Sequence, residues 1–195
     1  AIGQRGPDGL GTMVDDRAAL GTARLSIIDI ASGTQPMSDP SGRYWLAYNG
    51  EIYNYLELRA ELEAAGRVFL TRSDTEVVLQ AWLHWGPDCL PRFNGGFAFA
   101  IYDRASGRLV LARDRYGKRP LFYLRRGGEF YFASEMKSFF AVPGFAFEQD
   151  ADQLASILAC WTPLPDQSGF KGIDSLPMGE WMSVENGTIT RHRYE

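Results

Sequence analysis

The 195-residue sequence is poor in cysteine and histidine and has no long apolar run. Its two cysteines, Cys89 and Cys160, form no CxxC pair and stand beside no histidine at zinc-ligand spacing. A secreted disulfide scaffold and a metal site are therefore not expected, and a reducing, cytoplasmic setting is. The longest apolar stretches, such as Phe97 to Tyr102, are strand-sized, so no segment reads as a membrane span. Twenty Lys and Arg stand against 24 Asp and Glu, a net charge of −4. Basic residues gather no further than pairs such as Arg125-Arg126, which leaves no electrostatic footprint for nucleic acid. No glycine-rich phosphate loop follows a strand, which speaks against ATP binding by this stretch. The sequence opens at Ala1 with neither a methionine nor an apolar leader and reads as starting at an interior point of a longer protein.

What is present is the composition of one globular domain over residues 1–195, with no repeat or low-complexity tract. Strands are expected at residues 11–14, 18–28 and 44–48. From Asn54 the pattern changes to helical spacing, with Tyr55, Leu58, Leu62 and Ala65 on one face, Asn54 and Glu57 as a capping box and Gly66 as the stop. A second helix starts at a Ser73/Glu76 capping box, buries Val77, Val78, Ala81, Trp82 and Trp85, and stops at Gly86-Pro87. Hairpins follow at 97–113 and 121–133, short helices at 135–141 and 151–159, and a last hairpin turns on Asn186-Gly187. Hairpins interspersed with helix pairs define an α+β class with antiparallel sheet.

Three places could carry chemistry. Asn49-Gly50 closes a strand, where the plain reading is a tight turn, yet helix and not strand follows; an Asn amide beside a glycine N–H also supplies the two donors of an oxyanion hole. Arg24 lies in an apolar strand, so its guanidinium either makes a strand-edge ion pair or reaches a pocket. Asp74 lies in the first turn of its helix, where the helix dipole alone favours a carboxylate. Together these groups could hold a zwitterionic amino acid and polarise an amide carbonyl. His84 and His192 read as structural or surface residues, and Cys89 and Cys160 as small buried hydrophobes.

Longer strings narrow the reading. Arg5 to Gly9, Arg24 to Asp29, Gln35-Pro36-Met37, Asn49 to Asn54, Ser73 to Glu76, Gly95 to Asp103, Ala112 to Arg115, Phe132 to Glu135, Phe170 to Ile173 and Leu176 to Gly179 closely resemble the glutamine-hydrolysing domain of asparagine synthetases, from about Gln4 to Glu195. The resemblance implies a class II glutamine amidotransferase with the Ntn-hydrolase fold, a four-layer αββα sandwich of two antiparallel sheets. It implies that Arg24 holds the glutamine α-carboxylate, that Asp74 with Glu51 meets the α-ammonium, that Asn49 and the Gly50 N–H form the oxyanion hole, and that Ile27 and Ile28 line the pocket. It implies no cofactor in this domain. ATP and Mg are expected in a C-terminal synthetase domain, the partner that amidates aspartate or a related carboxylate, and a homodimer is compatible with it.

The family's nucleophile is an amino-terminal cysteine whose own α-amino group is the base. Judged by where Arg5 to Gly9 falls, an N-terminal strand and helix, on the order of 20 to 30 residues, would precede Ala1. Without them the expectation is a domain lacking glutaminase activity. Gln4 and Thr22 also depart from the family, which usually has His at both places. The alternative expectation is a non-catalytic scaffold, as in β-lactam-synthetase-like relatives.

Overall fold

The computed structural model describes residues 6, 8–24 and 33–195. β1 (Gly9–Val14) and β2 (Ala19–Arg24) form a hairpin closed by Asp15, whose carboxylate accepts the Arg17 and Ala18 N–H groups. β3 (Met37–Ser38) and β4 (Tyr44–Ile52) then enter a six-stranded antiparallel sheet. Its other members are β5 (Gly95–Asp103), β6 (Arg108–Arg113), β10 (Glu180–Glu185) and β11 (Thr188–Arg193), and its order is β11-β10-β6-β5-β4-β3. β7 (Phe122–Arg126), β8 (Glu129–Ala133) and β9 (Ile173–Ser175) make a second antiparallel group in the order β8-β7-β9.

β5 shows why the layers stack as they do. Seven of its nine residues are buried, so it has no solvent face. Phe97, Phe99 and Ile101 point to the core beneath the helices, whereas Ala98 and Ala100, with Met182 of the same sheet, pack with Leu121 and Tyr123 of the opposite layer. Bulky aromatics fill the wide helix-to-sheet gap, and alanines let the two sheets approach. The helical side consists of α1 (Tyr55–Ala64) and α2 (Asp74–Trp85). Residues 74–81 of α2 are all buried, and Trp82 meets Phe99 and Trp181 edge-on at centroid distances of 6.2 and 6.1 Å.

On the far side, a 3-10 helix, Met136–Ala141, and the aromatic segment around Phe145 and Phe147 cover β7 and β9. This outer layer is thinner than the other, because α3 (Ala151–Cys160) has no buried residue.

Several local expectations are corrected. Asn54 does not cap α1: its side chain bridges to the Asn94 N–H (3.0 Å) and the Arg92 carbonyl (3.1 Å), so tertiary partners win over the local capping box. Ser73 does cap α2 by accepting from the Thr75 N–H, but Glu76 turns away to take the Leu70 and Thr71 N–H groups. The chain continues past Gly86-Pro87 as a 3-10 helix, Gly86–Arg92, and the segment at 136–141 is 3-10 rather than α. Cys89 is buried as expected, whereas Cys160 is exposed at the end of α3. Among the described residues no helix is long and apolar enough to cross a membrane.

Candidate active site

The central element is the far half of β4. β3 pairs with this strand only at Trp45 and Leu46, which leaves the edge of residues 48–52 to be satisfied by side chains. The Tyr48 N–H donates to Gln35 Oε1 (2.9 Å), and the Ile52 N–H donates to Asp74 Oδ2 (3.2 Å). The Tyr53 N–H, of opposite parity, donates across to Asn94 on the β5 side (2.7 Å). Alternation along the strand therefore directs the Gly50 N–H to the same outer edge, between the groups held by Gln35 and Asp74.

Asn49-Gly50 is thus not a turn. It lies inside β4, where Asn49 faces Ala98 and Gly50 faces Phe97. The expected strand end at Tyr48 is corrected to Ile52, because nine consecutive residues find partners on β5. Glycine is required at position 50 for a tertiary reason: a Cβ there would stand 2.3 Å from the Gly96 carbonyl oxygen and 2.7 Å from Phe97 Cα. The Asn49 side chain lies on the strand face shared with Ala47, and its Nδ2 is buried without a hydrogen-bond partner. A buried, unspent amide donor is costly and uncommon, and it suits a group that receives its acceptor from a ligand.

Asp74 closes the other end. Only 5% exposed, it accepts from the Tyr48 hydroxyl (2.9 Å) as well as from the Ile52 N–H. Burial holds its carboxyl above the ordinary value of 3.8, against the lowering effect of those hydrogen bonds, and the nearby Glu51 charge adds to the rise. Neither Asp74 nor Glu51 makes a salt bridge among the described residues. Two carboxylates brought together in this way would be relieved by a cation between them.

A folded-state pKa above the unfolded one means that ionised Asp74 opposes folding. The penalty grows as pH rises from 3.8 through the folded value and is absent below 3.8. Asn can place its oxygen where Oδ2 accepts both hydrogen bonds, so Asp74→Asn is expected to melt at or above the wild-type temperature at pH 7. The difference should close as pH falls below 3.8. Paired thermal melts across pH check this, and a mutant less stable at pH 7 than wild type would contradict it.

Arg24 ends β2 opposite Gly9, half-buried, on a strand that runs beside β4. Ile27 and Ile28 lie outside the described residues. The structure thus brings Asn49, Gly50, Glu51 and Asp74 to one edge. Sequence reasoning assigned no role to Gln35, Tyr48 and Thr75: Gln35 bridges the Tyr48 N–H and the Thr75 hydroxyl (3.3 Å), locking β4 to the start of α2. The only signal for Gln35 was its place in the Gln35-Pro36-Met37 string. Cys89 is a poor nucleophile, since burial pushes its thiol up. Among the described residues no cluster of three or more His, Cys, Asp or Glu could hold a metal ion.

Two antiparallel sheets stacked face to face with helical cover make this the α+β sandwich of the Ntn hydrolases. The solved glutamine phosphoribosylpyrophosphate amidotransferase from B. subtilis, complexed with ADP and GMP, matches 91% of this chain and 35% of its own at a TM-score of 0.64 and 25% identity. A family model described as a glutamine amidotransferase domain matches residues 1–195, and the chain belongs to that family.

Among curated relatives, asparagine synthetase (glutamine-hydrolyzing) 3 of Bacillus subtilis (strain 168) is 36% identical over 99% of this chain and 32% of its own length. Asparagine synthetase B (glutamine-hydrolyzing) of Escherichia coli (strain K12) is 42% identical over 69% of this chain and 24% of its own. The chain spans a third or less of the length of these relatives. The scaffold alternative finds no support among them, since both names specify glutamine hydrolysis.

Proposed function

We propose that this domain binds L-glutamine at the β4 edge and serves as the glutaminase part of an asparagine-synthetase-like enzyme. The observation that carries the reading is the buried, unpartnered Nδ2 of Asn49 beside the edge-directed Gly50 N–H. These two donors would receive the amide oxygen as it gains negative charge. Arg24 would hold the α-carboxylate through its planar fork, while Asp74 and Glu51 would take the α-ammonium and relieve their mutual repulsion. Tyr48 and Gln35 position this set and do not touch substrate.

Hydrolysis breaks the amide C–N bond and releases glutamate and ammonia. The resemblance assigns the attack to an amino-terminal cysteine. In that reading a C-terminal domain holding ATP and Mg uses the ammonia to amidate aspartate or a related carboxylate.

Calorimetric titration with L-glutamine tests the binding step directly. Saturable binding by the wild-type domain is expected, weakened about 30-fold or more in Arg24→Ala, the scale of a lost charge-assisted bidentate contact. If wild-type protein takes up no glutamine, or if Arg24→Ala binds it equally well, the site assignment fails.

A further inference from the structure

Among the described residues four other buried polar atoms share Asn49's condition, and one of them, Thr22 Oγ1, lies on β2 two residues before Arg24. The reading above leaves it unused. Leu20, two residues earlier on β2, is buried in one cluster with Trp45 of β4 against it. Alternation puts Thr22 and Arg24 on the face of Leu20, and Asn49 on the face of Trp45. The two strands therefore oppose one row ending in Thr22 and Arg24 to another ending in Asn49.

Thr22 pairs across the hairpin with Gly11, where an added Cβ would meet the Gln35 carbonyl oxygen at 1.8 Å. Gln35 is also the residue that holds the Tyr48 N–H, so Thr22 is tied to the same edge as Asn49 and Gly50.

We propose that the Thr22 hydroxyl is a further substrate contact of this pocket, hydrogen-bonded to the side-chain amide of the glutamine whose α-carboxylate Arg24 holds. The inference rests on the glutamine reading above. Two residues along a strand separate Thr22 from Arg24 by roughly 6.6 Å, the scale of the distance between the two ends of an extended glutamine. A hydroxyl donates and accepts, as a primary amide does, so the two can pair in either sense.

The test uses Thr22→Val, which keeps the shape and removes only the hydroxyl, with Thr22→Ser as the restoring variant. Because the hydroxyl is unpaired in the unliganded protein, Thr22→Val should melt at or above the wild-type temperature. In calorimetry it should bind L-glutamine about tenfold more weakly and be rescued by Thr22→Ser. Unchanged glutamine affinity in Thr22→Val, the result if the hydroxyl meets only water, overturns the proposal, as does a lowered melting temperature. A wild-type protein that binds no glutamine overturns the glutamine reading itself and is distinguishable from either.

Discussion

Replacing Asp114 with alanine is expected to cost at least about 3 kcal/mol of folding stability, a large share of the roughly 5–15 kcal/mol that keeps a domain of this kind folded. Asp114 has no solvent exposure, and its carboxylate accepts four backbone N–H groups: Phe97 (3.2 Å), Tyr116 (3.0 Å), Lys118 (2.9 Å) and Arg119 (3.0 Å). Its own N–H donates to the Phe97 carbonyl (2.8 Å), so the residue both ends β6 and anchors the start of β5. Truncation would leave all four donors without their shared acceptor, the Phe97 N–H at a fully buried position among them. Asparagine would not repair the loss, because its amide offers one acceptor oxygen and turns two N–H bonds toward groups that are themselves donors.

The neighbouring Arg113 works in the complementary sense. It is partly buried and donates to the Gly117, Arg119 and Leu176 carbonyls and to Ser175 Oγ, closing the opposite side of the same loop. Urea unfolding of Asp114→Ala and Asp114→Asn measures the effect; a midpoint within experimental error of wild type in both would refute the account.

Gly50→Ala should lose both fold stability and ligand binding. The added methyl would meet backbone atoms of β5 at 2.3 and 2.7 Å, and backbone cannot rotate away as a flexible side chain would. β4 and β5 would have to part where the strands hold the donor edge, a clash of the kind that destabilises cores by about 1–3 kcal/mol or more. The consequence for function is sharper than that for stability. Parting the strands moves the Gly50 N–H away from Asn49 Nδ2, and two donors that must converge on one oxygen tolerate little displacement. Thermal melts should show a lowered midpoint, and glutamine titration of the remaining folded protein should give no measurable heat. Normal glutamine affinity in Gly50→Ala would separate the steric requirement for glycine from the proposed oxyanion hole.

Much of this was legible in the sequence because it depends on local periodicity. The helical spacing of Leu58 and Leu62, the Ser73 cap, the Asn186-Gly187 hairpin and the all-apolar stretch of β5 each reflect interactions among residues close along the chain. The string resemblance carried the family, and with it the candidates Arg24, Asn49, Gly50, Glu51 and Asp74.

What only the tertiary structure decided concerns partners far apart in sequence. Asn54 abandons its cap for Asn94, Glu76 turns back to Thr71, and Asn49-Gly50 extends a strand instead of turning, because β5 offers an unbroken ladder through Gly95. The reasons for two residue choices are likewise non-local. Gly50 is dictated by the approach of Gly96 and Phe97, and Asp74 is buried against Tyr48 rather than merely favoured by its helix dipole. Periodicity and capping are written into neighbouring residues, but whether a donor is spent or left open depends on which distant backbone folds against it.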